Sequence, residues 1–134
     1  MLTETEGIVL REVKALNGRK MITVFTKKYG KISLGVSDNS NGKKKPNLSV
    51  KPFSYAKYEV YKNRENFNLS SAQVINSNYA IGENLDNFMA ASYVLELTDK
   101  AFPENVPQPK AFNLFYQQYP ITHPNQMGIR IRYL

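Results

Sequence analysis

The chain has no cysteine, no tryptophan, a single histidine, and no apolar run that approaches the length of a membrane span. Without cysteine there is no disulfide, no thiolate zinc or iron–sulfur site and no thiol nucleophile, and such a sequence suits a reducing cytoplasm. His123 stands between Pro120 and Pro124, and one histidine without other soft ligands reads as a surface residue, not as a metal ligand or a base. Gly30, Gly35 and Gly42 are too widely spaced for a phosphate-cradling loop or a dinucleotide fingerprint. Carboxylate pairs such as Glu4 with Glu6 and Glu96 with Asp99 read as solvated faces. The opening Met1 to Gly7 is acidic and lacks the basic-then-apolar order of a signal peptide. These absences point away from an enzyme, a cofactor protein and a membrane protein.

With 134 residues there is room for one domain and a short appendage around a modest core. The composition, 42% hydrophobic and 22% charged, is that of an ordinary globular protein. Charge is the unusual feature. The net charge is +7, and it is unevenly spread: residues 1–64 hold 14 Lys and Arg against 5 Asp and Glu, whereas residues 65–134 hold 4 against 6. A front half near +9 favours a polyanionic partner, because a field of that sign concentrates nucleic acid around it.

Five segments read as strands. Gly7 to Val13 is β-branched and apolar, and Asn17-Gly18 after it supplies the positive φ values of a hairpin turn. Lys20 to Lys27 is the return strand, and Tyr29-Gly30-Lys31 turns into a third strand over Ile32 to Val36. Ser37 to Ser49 is a polar loop of a length that tends to be functional. Phe53 to Lys62 alternates, with Phe53, Tyr55, Lys57, Glu59 and Tyr61 on one face and Ala56, Tyr58 and Val60 on the other. After a turn at Asn63 to Asn66, Phe67 to Ile75 returns with Phe67, Leu69 and Ile75 opposite Ala72 and Val74. Five short strands in a row predict a small barrel or sandwich, since a flat sheet would leave both edges open.

Near Asn78 the period lengthens to that of a helix. Leu85, Phe88, Ala91, Ser92, Leu95, Asp99 and Phe102 share one side, and Pro103 stops the run. That stripe is broader than one barrel covers, so the helix is expected to self-associate or to fray. Ala111, Phe112, Leu114 and Phe115 predict a second helix after Pro107 and Pro109. Residues 119–134 show no helical period, and Ile129 to Arg132 fits either a short strand or a disordered tail.

Three groups of residues favour nucleic acid. Lys27, Lys28 and Lys31 bracket Tyr29 at a strand corner, with Arg19 and Lys20 at the far end of the same strand. Lys43, Lys44 and Lys45 lie in the long loop, with Lys51 just beyond. Tyr55, Tyr58, Tyr61 and Phe67 interleave with Lys57, Lys62 and Arg64. Cations track a phosphate backbone and rings stack on bases, which is how sequence-tolerant binders hold single strands. Each group also has a plain reading, as solubilising lysines or as core aromatics, and a barrel that docks a protein partner without binding nucleic acid is the rival.

Four segments carry a family resemblance. Thr5-Glu6-Gly7-Ile8-Val9-Leu10-Arg11, Phe25-Thr26-Lys27-Lys28-Tyr29-Gly30-Lys31-Ile32-Ser33, Pro52-Phe53-Ser54 and Ala91-Ser92-Tyr93-Val94-Leu95-Glu96-Leu97 resemble, in order and spacing, the RecO family of bacterial recombination mediators. Tyr61 to Asn66 is most similar to the clostridial branch. The resemblance implies an OB-fold barrel, mainly β, followed by the start of a helical domain, with an SH3-like barrel as the competing fold. It implies binding of single- and double-stranded DNA in repair and recombination, strand annealing, contacts with RecR and with single-strand-binding protein, and a cytoplasmic, nucleoid-associated location. No cofactor is implied. The DNA contacts carried over are Lys27, Lys28 and Lys31, with Tyr29, Arg19, Lys20, Lys43, Lys44, Lys45, Lys51 and Arg64 around them. The domains expected are a DNA-binding barrel over 1–78, a truncated helical start over 79–118 and a divergent tail over 119–134. Two departures stand out. The family's Arg-rich stretch after the third strand is replaced by Lys43 to Lys45, and the match fades after Phe115, as a frameshift or premature stop would leave it. A truncated fragment without function is therefore a further alternative.

Overall fold

The computed structural model describes residues 1–14, 20–36, 48–64, 66–78, 81 and 83–118, with backbone alone at Lys14, Leu48 and 114–118. His123 and the expected tail lie outside the described residues. Five strands, β1 (Leu2–Lys14), β2 (Lys20–Thr26), β3 (Gly30–Val36), β4 (Tyr55–Asn63) and β5 (Asn66–Asn76), precede two helices, α1 (Leu85–Ala101) and α2 (Pro109–Gln118). The strands close into a barrel in the order β1-β2-β3-β5-β4. Every pair is antiparallel except β3 with β5, which touch in parallel at Leu34 with Phe67 and Gly35 with Asn68. This is the order expected of an OB-fold.

The first strand starts five residues before the expected Gly7. Leu2 to Ile8 pairs with β4, from Tyr61 down to Tyr55, and Gly7 to Lys14 pairs with β2. The acidic opening is strand because of a partner about fifty residues away, a fact no local pattern carries. A bulge leaves Leu10 out of the β1–β2 register, and it lets one strand bend from one neighbour to the other. Gly7 sits where both ladders overlap. A β-carbon there would lie 2.7 Å from Val24 Cγ1, so the bend requires glycine's missing side chain.

A second bulge corrects the expected faces of β5. Glu59 pairs with Ser71 but Val60 pairs with Leu69, so Ser70 is skipped. Phe67, Leu69 and Ala72 therefore share the inner face, while Val74 and Ile75 are exposed. Phe53 also departs from the expectation. It has φ 77° in the turn before β4, half-buried against the helices.

The core has two parts. Inside the barrel lie Val9, Ile22, Val24, Ile32, Leu34, Ala56, Tyr58, Val60 and Phe67, the inward half of each strand's alternation. Outside, Ile8, Leu10, Phe25 and Tyr55 meet Ile81 ahead of α1, Ala91 and Leu95 of α1 and Phe112 of α2. Phe25 stacks on Phe102 at 5.2 Å between ring centroids and tilts against Phe112 at 5.7 Å. Asn84 caps α1 by accepting from the Asn87 amide at 3.0 Å, and the helix ends before Pro103 as expected. Its expected stripe is only partly buried. Of the stripe, Ala91 and Leu95 are buried and Leu85 and Phe88 exposed; off the stripe, Thr98 is buried while Met89, Tyr93 and Leu97 are exposed. Pro109 opens α2 at a position where its absent N–H costs nothing.

Tyr58 fills the barrel centre, and its hydroxyl donates to the Ser49 carbonyl at 2.6 Å. Burial pushes its phenol pKa up, since the interior disfavours the phenolate. The folded phenol thus holds its proton after the unfolded one has lost it. Stability from this residue is full at neutral pH and falls as pH rises above ~10, the ordinary phenol value. Tyr58→Phe should flatten that alkaline loss while costing about 1–3 kcal/mol at pH 7, because the buried carbonyl loses its donor. Urea denaturation of both proteins at pH 7 and pH 10.5 checks this, and an unchanged alkaline slope would contradict it.

Candidate nucleic-acid interface

The β2–β3 corner, Lys27 to Tyr29, is fastened to the start of β1. Lys27 N donates to the Glu6 carbonyl at 2.8 Å, and Lys28 N to Thr5 Oγ1 at 3.1 Å. Thr26 Oγ1 accepts from the Tyr29 amide at 3.0 Å and donates to the Gly30 carbonyl at 2.8 Å, closing the turn. Gly30 has φ 75°, and a β-carbon there would lie 2.0 Å from the Val106 carbonyl oxygen, so both conformation and space demand glycine. Tyr29 lies back on the barrel end, its hydroxyl donating to Thr3 Oγ1 at 2.9 Å and its ring 5.1 Å from that of Phe67.

The β4–β5 turn reaches the same end of the barrel. Lys62 Nζ stands 5.8 Å from the Phe67 centroid and donates to the Arg64 carbonyl at 3.4 Å, while Lys28 Nζ stands 5.8 Å from the Tyr29 centroid. Residues 27–29 and 62–64, far apart in sequence, thus form one basic rim over two aromatic rings. Lys27, Lys28 and Arg64 are exposed. Between the β4–β5 turn and the segment joining α1 to α2 runs a groove of about 190 Å³, lined by Tyr29, Lys62, Arg64, Phe67, Asn105 and Pro107. A wider depression of about 400 Å³ beside it mixes signs, with Lys27, Lys28 and Lys57 facing Glu4 and Glu6. Glu6 also accepts from the Tyr55 hydroxyl. The narrower groove, in contrast, has Lys62 and Arg64 in its lining and no carboxylate.

Lys31 is used differently from its neighbours. Its ammonium donates to the Asp99 carbonyl at 2.5 Å and lies 3.3 Å from Asp99 Oδ1, with 13% of its side chain exposed. Asp99 Oδ2 accepts from Arg11 Nε at 2.9 Å. One carboxylate near the end of α1 thus holds two cations of the barrel. The next segment continues the contact: Asn105 N donates to the Lys31 carbonyl at 2.8 Å, and Glu104 forms a parallel bridge with Lys31. The outer face of β2 and β3 near the corner is covered by the helical segment.

The remaining expected residues are scattered. Lys20 and Lys51 converge on Glu12, at 3.0 Å and 3.9 Å, at the far end of β2, roughly 20 Å from the corner at the usual rise of a strand. Arg19 and Lys43 to Lys45 lie outside the described residues. Lys62 stood in the sequence only as one of several basic residues near aromatics. Asn105 and Pro107 gave no signal, because their place depends on how α1 docks. Among the described residues, no group of three or more His, Cys, Asp or Glu could hold a metal ion, and no helix is long and apolar enough to cross a membrane.

Comparison with known families matches residues 1–78 to "Recombination protein O N terminal" and residues 82–118 to "Recombination protein O C terminal". A DNA repair protein RecO of Exiguobacterium sibiricum is 38% identical over 119 residues, covering 86% of this chain and 46% of that protein. Those of Alkaliphilus metalliredigens and Bacillus subtilis are 32% and 33% identical, covering 85% and 87% of this chain and 46% of each relative. The chain spans slightly under half the length of these relatives.

The Asp99 contacts generate an unequal pair of stability effects. Asp99→Ala leaves the nearly buried Lys31 ammonium without its carboxylate and should cost about 1–3 kcal/mol. Lys31→Ala should cost less, since Asp99 keeps Arg11. Chemical denaturation of the two variants decides the ordering, and equal or reversed costs would remove Asp99 from the centre of this contact.

Proposed function

This chain belongs to the recombination protein O family, and from that premise we propose that it binds DNA without sequence preference, and without catalysing a reaction, in DNA repair and recombination. The observation that carries the reading is the convergence of Lys28, from the β2–β3 corner, with Lys62 and Arg64, from the end of β4 and the turn after it, on one end of a closed barrel. Cations that project from loops on a rigid scaffold position a phosphate backbone without reading bases. The basic front half supplies the field that brings DNA to this end. Strand annealing, single- and double-stranded binding, and contacts with RecR and single-strand-binding protein belong to the same proposal, on the strength of family membership. So does action in the cytoplasm at the nucleoid. Lys27 joins Lys28 at the corner, with Lys20, Lys51, Arg19 and Lys43 to Lys45 as outlying phosphate contacts. Lys31 contributes by holding the corner against α1.

A second reading is favoured by the outer face of α1. Leu85, Met89, Tyr93 and Leu97 recur every fourth residue and are 71%, 60%, 62% and 49% exposed. An antiparallel pairing with a second copy sets Leu85 against Leu97 and Met89 against Tyr93, and it brings Lys100 near Glu83 and Asp86 of the other chain. Self-association through this face is compatible with DNA binding at the barrel end.

Fluorescence anisotropy with a labelled oligonucleotide across a salt series tests the main reading. Binding should be tight near 50 mM salt and fall steeply as salt rises, because phosphate contacts release counterions. Replacing Lys28, Lys62 and Arg64 together by Ala should weaken binding alike for all sequences. On single strands it should also reduce the salt slope by about 0.7 for every phosphate that is no longer neutralised. No binding at low salt overturns the proposal, and a folded triple variant with the wild-type slope overturns the site. Light scattering on the wild type and on Met89→Lys addresses the second reading, which a strictly monomeric wild type refutes.

A further inference from the structure

The groove at the basic end has the make-up of a subsite. Its floor is aromatic: the half-buried Tyr29 offers the accessible ring, backed by the buried Phe67, whose ring lies 5.1 Å away and inclined at 53°. Pro107 adds an apolar wall, and Asn105 brings an amide able both to donate and to accept. Lys62 and Arg64 stand at the same groove. Few polar groups among apolar walls is the pattern of a site for a planar, partly polar ligand.

The second wall is held rigidly. Asn105 N donates to the Lys31 carbonyl at 2.8 Å, and the Val106 carbonyl packs against Gly30, where no side chain would fit. Asn105 itself has φ 64°, in the left-handed region that Asn tolerates better than most residues. The barrel supplies the rings and cations, and the link between α1 and α2 supplies the amide and the proline.

We propose that this groove takes one unpaired nucleobase of a DNA strand, with Lys62 and Arg64 on the adjoining phosphates, so that the protein favours single-stranded over duplex DNA. The inference rests on the DNA-binding reading above and adds to it a base subsite. A phosphate-only surface gains nothing from bases, whereas an aromatic-floored subsite gains affinity from each stacked base. A paired base would have to unstack and unpair to enter, which disfavours duplex DNA. The amide of Asn105 meets a base edge, which gives orientation with little selectivity among bases.

The test uses the full chain and three labelled probes of equal length at one low salt concentration: oligothymidylate, the same backbone carrying abasic sites, and a duplex. Oligothymidylate should bind about tenfold more tightly than the abasic strand, a ratio equal to about 1.4 kcal/mol. Asn105→Gly keeps the positive φ and removes the amide, so it should lower affinity for oligothymidylate several-fold and leave the abasic strand unchanged. Tyr29→Ala should erase the difference between the two strands, and circular dichroism shows whether it remains folded. Equal affinity of the wild type for oligothymidylate and the abasic strand overturns the base subsite while leaving the phosphate reading intact. Failure of all three probes to bind overturns the DNA-binding reading, and the subsite with it. An Asn105→Gly effect of the same size on both strands also overturns the subsite.

Discussion

Strand β1 has to satisfy two neighbours at once, and the rest of the molecule follows from how it does so. Its first half pairs with β4 and its second half with β2, with Gly7 serving both ladders. A strand that turns through such a bend needs an unpaired residue and a place without a side chain, and Leu10 and Gly7 provide them. Ring closure then removes the free edges of the sheet and creates an interior that only alternating residues can fill. It also carries the β4–β5 turn to the start of β1, where the β2–β3 corner already sits. The basic end is a product of closure.

Charge is distributed by use. Lys20 and Lys51 neutralise Glu12, Lys31 and Arg11 neutralise Asp99, and Lys27, Lys28 and Lys57 share a depression with Glu4 and Glu6. A cation held within 3–4 Å of a carboxylate contributes little to the field felt by an approaching polyanion, because the pair presents a dipole. Among the described residues, Lys28, Lys62 and Arg64 make no carboxylate contact of that kind, and their neighbours are a hydroxyl, aromatic rings and a carbonyl. Net charge thus overstates the number of cations available to a polyanion and says nothing of their place.

The helical segment does more than cover apolar surface. Phe102 and Phe112 close over Phe25, Asp99 grips Lys31 and Arg11, and the Asn105 backbone N–H ties the link between the helices to the corner. Apolar contact supplies most of the stabilisation, and the polar contacts fix where along the barrel the helix rests. Because the groove has one wall on each part, any shift of α1 would open or close it.

The sequence alone determined the type and order of the elements. Period-two alternation with β-branched residues marked five strands, the change of period near Asn78 marked α1, and Pro103 marked its end, because these signals depend on near neighbours and on which side chains avoid water. The four motifs also carried the family. The basic corner was legible as well, since Lys27, Lys28 and Tyr29 are contiguous. What only the tertiary structure decided were matters of distant pairing: the early start of β1 at Leu2, the face switch at Ser70, the capture of Lys31 by Asp99 and the meeting of Tyr29, Lys62, Arg64 and Asn105. The switch at Ser70 depends on the register of its hairpin partner, and the others on contacts between residues dozens of positions apart, whose geometry is set by closure of the ring and docking of the helix.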